Sequence, residues 1–257
     1  MGLFGKVFEK KQCSICGNDI GLLGNRKLED GNMCKECASK LSPFFSDRKS
    51  STVAEIEKQL AYREENREAL KSFHTTRTLG DNTKIMIDED AGKFVVTRAR
   101  NLEEANPDII NFSDVTGAEF KIDEDKSEEK REDKDGNKVS YNPPKYIFEY
   151  DFNIVIRVNN PYFDTISFQL NSSSVRINDG NPLPVNQKPN ERQNHDYIRY
   201  EKMGNEIKNI LTAARQEARH DRETASAPKK PIICPLCGAT TVPTPAGTCE
   251  YCGGPVK

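Results

Sequence analysis

The sequence predicts an α+β protein of several domains: a central antiparallel β domain with flanking helices, and a small cysteine-containing module near each end. Only 35% of the 257 residues are hydrophobic and 30% are charged, which is too little apolar material for a single core built from the whole length. The eight cysteines fall into two groups that are far apart in the chain. Between these groups, residues 84–177 alternate apolar and polar side chains with the period of β-strands.

The cysteines form four C-x-x-C pairs. They are Cys13/Cys16, Cys34/Cys37, Cys234/Cys237 and Cys249/Cys252. Two thiolates separated by two residues can face one ion from a tight turn, and the gaps of 17 and 11 residues between pairs are short enough for one small hairpin to close each site. We therefore expect two Zn²⁺ ions, one bound by the first four cysteines and one by the last four. Because cysteine supplies every ligand, both sites are predicted to be structural.

Disulfides and a thioredoxin-like redox centre are the alternative roles for these pairs. Disulfides suit a secreted protein, which this sequence does not suggest, and a redox C-x-x-C normally stands alone at the start of a helix in a βαβ unit. Gly17, Gly238 and Gly253 directly follow three of the pairs, at a position that often needs a positive φ. The spacing therefore favours metal binding.

The N-terminal module is predicted over residues 10–45, as a knuckle, a hairpin that turns at residues 29–32 and a second knuckle that runs into a short helix. This order suggests a treble-clef-like or ribbon finger. A connector segment, 52–80, follows and contains a helix over about 52–73. Thr52 and Glu55 form the capping box expected where a helix begins, and the apolar stripe of this helix is predicted from five residues: Ile56, Leu60, Tyr62, Leu70 and Phe73.

The β domain is predicted over residues 84–222. Its clearest strand runs from Tyr146 to Val158, where every second residue is apolar, and a helix over about 194–221 is expected to cover the open side of the sheet. Residues 121–138 carry eight acidic and six basic side chains, and we interpret this segment as a solvated hairpin loop. A linker is predicted at 223–231 and a C-terminal zinc ribbon at 232–255.

Several motifs resemble those of known families. Those of the N-terminal module are Cys13-Ser-Ile-Cys16-Gly17, Ile20-Gly21-Leu22-Leu23-Gly24, Lys27-Leu28-Glu29-Asp30-Gly31 and Cys34-Lys-Glu-Cys37. They closely resemble a bacterial family, common in Firmicutes, that is catalogued only as a domain of unknown function. The resemblance covers about the first 45 residues and implies cysteine ligands and a bacterial cytosolic origin, but no reaction. The C-terminal motifs, Cys234-Pro-Leu-Cys237-Gly238 and Cys249-Glu-Tyr-Cys252-Gly253-Gly254, resemble the zinc ribbons of many bacterial proteins. About seven consecutive antiparallel strands followed by one helix resemble a pleckstrin-homology-type barrel.

We interpret the protein as a non-enzymatic adaptor that presents two structural zinc modules to a protein partner. No phosphate-binding glycine loop, nucleophile elbow, HExxH pair or Cys-His dyad is visible, and no small-molecule substrate is evident. Apolar stretches are too short to span a bilayer and no cleavable leader is visible, so we expect a cytoplasmic protein.

Two alternatives remain open. Nucleic-acid binding is one, because zinc ribbons often serve it. The formal net charge of −2 argues against it, and eight thiolates with two divalent ions would lower that charge by four more. Recruitment to a membrane surface is the other, through the apolar positions of residues 1–9 and the pleckstrin-homology-like domain.

Overall fold

The computed structural model describes residues 11–178, 183–184, 186–226, 231–244 and 246–256, with the side chains of residues 218, 219 and 221–226 left out. The predicted amphipathic segment at residues 1–9 lies outside these ranges. The chain divides into two compact units, Met1–Arg215 and Gln216–Lys257. The N-terminal module, the connector helix and the β domain all fall in the first unit.

The N-terminal module is built from four two-residue strands and one short helix. They are β1 (Lys11–Gln12), β2 (Asp19–Ile20), β3 (Arg26–Lys27), β4 (Asn32–Met33) and α1 (Lys35–Ser39). β1 pairs with β2 and β3 with β4, both antiparallel, and the predicted turn between β3 and β4 is present, closed by the Leu28 N–H donating to the Gly31 carbonyl at 2.9 Å. Leu28 and Met33 are fully buried beside Ile56 of the next helix, so that helix completes the core of the module.

Helix α2 (Val53–Leu70) begins with the predicted capping box. The Thr52 hydroxyl accepts from the Glu55 N–H, and the Glu55 carboxylate accepts from the Thr52 N–H at 2.7 Å. Asp30, in the hairpin turn of the N-terminal module, also accepts from the Val53 N–H at 2.8 Å. These bonds satisfy amide groups that have no partner within the helix and attach the start of α2 to the module.

The buried face of α2 differs from the predicted apolar stripe. Only two of the five predicted residues, Ile56 and Leu70, are fully buried, and the positions between them on that face are polar: Gln59, Arg63 and Asn66. The helix also ends at Leu70, and residues 77–79 of the predicted connector form a strand. Arg63 and Asn66 are tolerated on this face because they meet polar partners from two other segments. The buried Gln59 amide has no hydrogen-bond partner among the described residues.

Arg63 forms the centre of this buried polar cluster. Its guanidinium lies 2.6 Å from the Asp108 carboxylate and donates to the carbonyls of Asn106 and Lys40. The other Asp108 oxygen accepts from the Ser42 hydroxyl at 2.8 Å. Burial raises the pKa of Asp108, while the Arg63 charge opposes that rise. The cluster joins the end of the N-terminal module, α2 and the β domain.

The β domain contains two antiparallel sheets. The first has the order β5 (Arg77–Leu79), β6 (Lys84–Asp88), β7 (Lys93–Thr97) and β8 (Ile110–Asn111), with the short helix α3 (Leu102–Ala105) between its last two strands. The second contains β9 (Val115–Glu132), β10 (Lys138–Val158), β11 (Thr165–Gln169), β12 (Val175–Ile177) and β13 (Leu183–Pro184). β9 follows one edge of β10 along its length, and the other three strands follow one another along the opposite edge.

The alternation predicted for β10 is confirmed. Six of its residues are buried on one face: Phe148, Tyr150, Phe152, Ile154, Ile156 and Val158. They pack with residues of the first sheet, such as Ile85 and Phe94, and with Tyr200, Ile207 and Leu211 of helix α4 (His195–Ser226). The core of the β domain therefore lies among the two sheets and this helix.

The interpretation of residues 121–138 as a loop is wrong. β9 continues to Glu132 and β10 begins at Lys138, so only residues 133–137 turn the chain. Pairing with β10 satisfies the amide groups that face that strand, and those on the other edge can bond to water. Most side chains of the charged segment are exposed, so it needs no apolar core. The Lys126 ammonium lies 4.1 Å from the centre of the Tyr146 ring and adds a cation–π contact across the two strands.

Helix α4 continues to Ser226, beyond the boundary predicted at residue 222. The C-terminal module that follows is small, with β14 (Ile232–Ile233) paired antiparallel with β15 (Thr240–Thr241). A single bridge also joins Thr248 and Pro255. In the part of the chain that is described, no helix combines the length and the apolar character needed to cross a bilayer.

Candidate metal centres

The structure brings the eight cysteines together in the two groups that their spacing predicts. Cys13, Cys16, Cys34 and Cys37 form one group, and Cys234, Cys237, Cys249 and Cys252 form the other. Within each group, one sulfur from every residue lies within 4.8 Å of the other three. Each group could therefore hold one metal ion.

The distances between sulfur atoms fit a shared ion. The Sγ atoms of Cys16 and Cys34 are 3.8 Å apart, and the pairs Cys234/Cys252 and Cys237/Cys249 are each 3.7 Å apart. Four thiolates around one ion, with metal–sulfur bonds of about 2.3 Å in a tetrahedron, would lie about 3.8 Å from one another. A disulfide needs a separation of about 2.05 Å, and all eight cysteines are free. The geometry therefore favours metal ligation over disulfide bonding.

Three of the four pairs share one backbone arrangement, which begins at Cys13, Cys234 and Cys249. In each, the N–H of the first cysteine donates to the carbonyl five residues later, and its own carbonyl accepts from the glycine four residues later, at 2.8–2.9 Å. Those glycines, Gly17, Gly238 and Gly253, have φ values of +73°, +71° and +69°. The expected positive φ is confirmed at all three, where a side chain would strain the turn.

The fourth pair, Cys34/Cys37, is arranged differently because it opens helix α1. Cys34 is the N-terminal cap of that helix, and its sulfur accepts from the Cys37 N–H at 3.3 Å. The Cys34 N–H in turn donates to the Cys13 sulfur at 3.2 Å, which links the two pairs of this centre. Ala38 replaces the glycine and continues the helix, so no positive φ is needed there.

The thiols within each group have unequal acidities. Burial would raise the pKa of Cys13, but backbone N–H groups, above all those of Cys16 and Cys34, lower it to about 6. The Cys252 N–H lowers the pKa of Cys249 to about 6. Burial and the neighbouring sulfurs raise the pKa of Cys37. In the C-terminal group the pKa of Cys234 is also lowered, by the Cys237 N–H, and that of Cys237 is raised. Some thiols of each group therefore ionise readily while others resist further negative charge, which a bound cation would neutralise.

The two centres differ in their surroundings. Three of the four sulfurs of the N-terminal centre belong to buried residues within an apolar cluster that includes Leu28, Met33 and Ile56. In the C-terminal centre, Cys237 and Cys252 are exposed, and the apolar cluster contains little besides Ile232 and Val256. A metal ion bound by the four cysteines would stabilise a core this small.

Large apolar side chains stand exposed on both modules. On the C-terminal module, Ile233 is 71% exposed, Leu236 67% and Tyr251 70%; on the N-terminal module, Leu22 is 85% exposed and Leu23 89%. Four of these five residues, all but Ile233, lie inside sequence motifs. The sequence feature that could have identified them is an apolar residue inside or beside a C-x-x-C turn, or between two glycines. Such a residue lies in a tight turn, where it has no apolar core to pack against.

Comparison with known proteins identifies one segment. Residues 11–59 match the model of a family described as a domain of unknown function (DUF4428), which covers the N-terminal module and the start of α2. No curated protein and no protein of known structure matches the chain. The match agrees with the resemblance seen in the cysteine and glycine motifs, and the bacterial origin stays a prediction.

Proposed function

We propose that this protein is a non-enzymatic cytoplasmic adaptor, in which two structural Zn²⁺ ions stabilise small modules that bind protein partners. The observation that carries this proposal is the surface of the C-terminal module, which combines exposed apolar side chains with an almost complete lack of charge. Three exposed apolar residues lie close to its metal centre, and residues 231–256 contain no Lys or Arg and a single acidic residue, Glu250.

Zinc is the ion that this donor set favours. Four thiolates in a tetrahedron suit Zn²⁺ or iron, and a site closed by four protein ligands leaves no open position for catalysis. In such a site the four cysteines and the ion join separate segments of the module and so stabilise its fold. Elemental analysis and the visible absorption spectrum of the purified protein distinguish these metals, because Zn²⁺ has no visible absorption. We expect about two zinc ions per chain. Iron in their place would overturn the assignment.

The apolar surface of the C-terminal module is repeated in its two knuckles. Leu236 and Tyr251 each directly precede the second cysteine of their pair, so the two turns present them in equivalent positions beside the exposed Cys237 and Cys252. A phosphate polymer requires cations to replace its counterions, and this module offers none. Exposed aromatic and aliphatic side chains with little charge are typical of a protein-binding surface.

The test is affinity purification from the native host with three forms of the full chain. The double variant L236S/Y251S removes the apolar side chains, and T240S is a matched control at an exposed position of the same module. We expect a defined set of proteins to bind the wild type and T240S and to be lost with L236S/Y251S at unchanged zinc content. The same bound proteins with all three forms, or nucleic acid as the main bound species, would refute the proposal.

The β domain is proposed to be pleckstrin-homology-like. This is supported by a four-stranded antiparallel meander, β5 to β8, followed by β9, β10 and β11 in a second meander and later by helix α4.

Nucleic-acid binding is the alternative function, and Arg26 and Lys27 of the N-terminal module could contact phosphate. Binding that weakens steeply with salt and disappears on charge reversal at these two residues would favour it.

A further inference from the structure

The N-terminal module carries two adjacent leucines at the tip of a tight turn. The Gly24 N–H donates to the Gly21 carbonyl at 2.9 Å, which leaves Leu22 and Leu23 as the two central residues of a four-residue turn. Their side chains are 85% and 89% exposed. Two neighbouring aliphatic side chains that are almost fully hydrated are unfavourable in water and indicate a surface that is covered in another state of the protein.

The turn is held firmly by the module beneath it. Ile20, directly before the turn, is buried in the same cluster as Cys13 and Cys34. At Gly24, an added Cβ would lie 3.4 Å from both the Gly21 carbonyl oxygen and the Ile20 side chain, so the two ends of the turn are packed closely together. The leucines therefore need little further ordering before they bind something.

Positive charge surrounds the tip. One guanidinium nitrogen of Arg26 donates to the carbonyls of Leu23 and Asn25, both at 3.3 Å, which fixes this cation directly behind the leucines. Lys11 lies opposite Ile20 in the β1–β2 pair, and Lys35 lines a small pocket together with both glycines of the turn.

Two carboxylates, Asp19 and Glu36, border the same pocket. The three cations named above exceed them, and the exposed Lys27 follows Arg26 in the chain. An anionic partner is therefore favoured at this end of the module.

We propose that residues 21–24 insert Leu22 and Leu23 into the surface of a bilayer that contains anionic phospholipid, while Arg26 and Lys35 contact the headgroup phosphates. The tip is convex, and two leucines cover far less than the roughly 800 Å² per partner of a specific protein interface. Insertion among acyl chains needs no complementary shape, and its gain follows the apolar area removed from water. This inference goes beyond the adaptor function and does not rest on the C-terminal module.

The first test is cosedimentation of the zinc-loaded full chain with phosphatidylcholine vesicles, with or without about 30% phosphatidylserine, at about 0.1 M salt. We expect binding to the anionic vesicles, with the affinity reduced about tenfold for each leucine replaced in L22S/L23S. R26E changes the charge by two units and should reduce the affinity for anionic vesicles by about 30-fold. V242S applies an aliphatic-to-Ser change at an exposed position of the other module and should bind like the wild type. Deletion of residues 1–9 should also preserve binding.

A second measurement uses the absence of tryptophan from the chain. In L23W the single indole should shift its emission to shorter wavelength on addition of anionic vesicles and be quenched by brominated acyl chains. In V242W, at an exposed position of the other module, it should do neither. Equal vesicle binding by L22S/L23S and wild type, no binding by the wild type, or loss of binding only on deletion of residues 1–9 would overturn the proposal. Zinc content measured for every variant shows whether the module is intact.

Discussion

Replacing Arg63 by methionine should destabilise the first unit by about 4 kcal/mol at neutral pH. The change keeps a long, helix-compatible side chain but leaves the Asp108 carboxylate buried without its positive partner, and removes a donor from the carbonyls of Asn106 and Lys40. Breaking a buried ion pair from one side typically costs 3–5 kcal/mol, because the remaining charge stays desolvated. The β domain should still fold, since its apolar core contains neither residue.

The loss should depend on pH with a definite sign. Burial raises the pKa of Asp108 and Arg63 opposes the rise, so the pKa in R63M should be higher still. An acid whose pKa is higher in the folded than in the unfolded state contributes stability below the unfolded pKa and loses it as pH rises through the folded pKa. The difference between wild type and R63M should therefore be small near pH 4 and grow toward pH 8.

The assay is urea unfolding followed by far-UV circular dichroism at several pH values, with R63M, D108N and R63M/D108N. The double variant has no buried charge at this site, so we expect it to recover part of the stability that R63M loses, with a coupling energy of at least about 1.5 kcal/mol. A loss below about 1 kcal/mol in R63M, or a loss that shrinks as pH rises, would refute the view that Arg63 neutralises a buried carboxylate.

Three further changes test other parts of the structure. Cys34→Ser should reduce the zinc content from two ions to one per chain and unfold the N-terminal module while the β domain keeps its far-UV signal; unchanged zinc would contradict a ligand role. Gly204→Ala should destabilise the protein by about 1–2 kcal/mol, because the added Cβ would lie 2.2 Å from the Phe120 ring. Overpacking of this size outweighs the roughly 1 kcal/mol gained in helix propensity. G204A/F120A should remove the clash, and a urea midpoint above that of the wild type for G204A would contradict this reasoning. Thr52→Ala should cost about 1 kcal/mol through loss of the helix cap, whereas no change in the midpoint would mean that Asp30 alone satisfies the first turn of α2.

The sequence predicted the parts of the structure that depend on local chemistry. The spacing of the cysteines predicted which of them lie together, and the glycines that follow Cys16, Cys237 and Cys252 predicted the positive φ of the knuckles. Thr52 and Glu55 predicted the start of α2. In each case, the residues that decide the conformation lie within a few positions of one another, so their physical effect can be recognised without knowing the fold.

Predictions from the sequence were wrong where contacts with residues far along the chain decide the local structure. Arg63 and Asn66 look like surface residues of a charged helix, and only the segment around Asn106 and Asp108, about 40 residues later, makes their burial favourable. The charged segment after Lys121 looks like a loop because it has almost no apolar residues, yet pairing with β10 is enough to hold it as a strand. Composition indicates what can be buried, whereas hydrogen-bond partners far along the chain are not visible in it.

The long strand β9 leaves one backbone edge without a neighbour among the described strands. An open edge of 18 residues is normally a template on which a second copy of a chain can assemble into an aggregate. Ten of the twelve residues from Lys121 to Glu132 are charged, so an incoming strand would have to strip water from a dense row of ions. The high charge that made this strand resemble a loop therefore also protects the protein from polymerising along its edge.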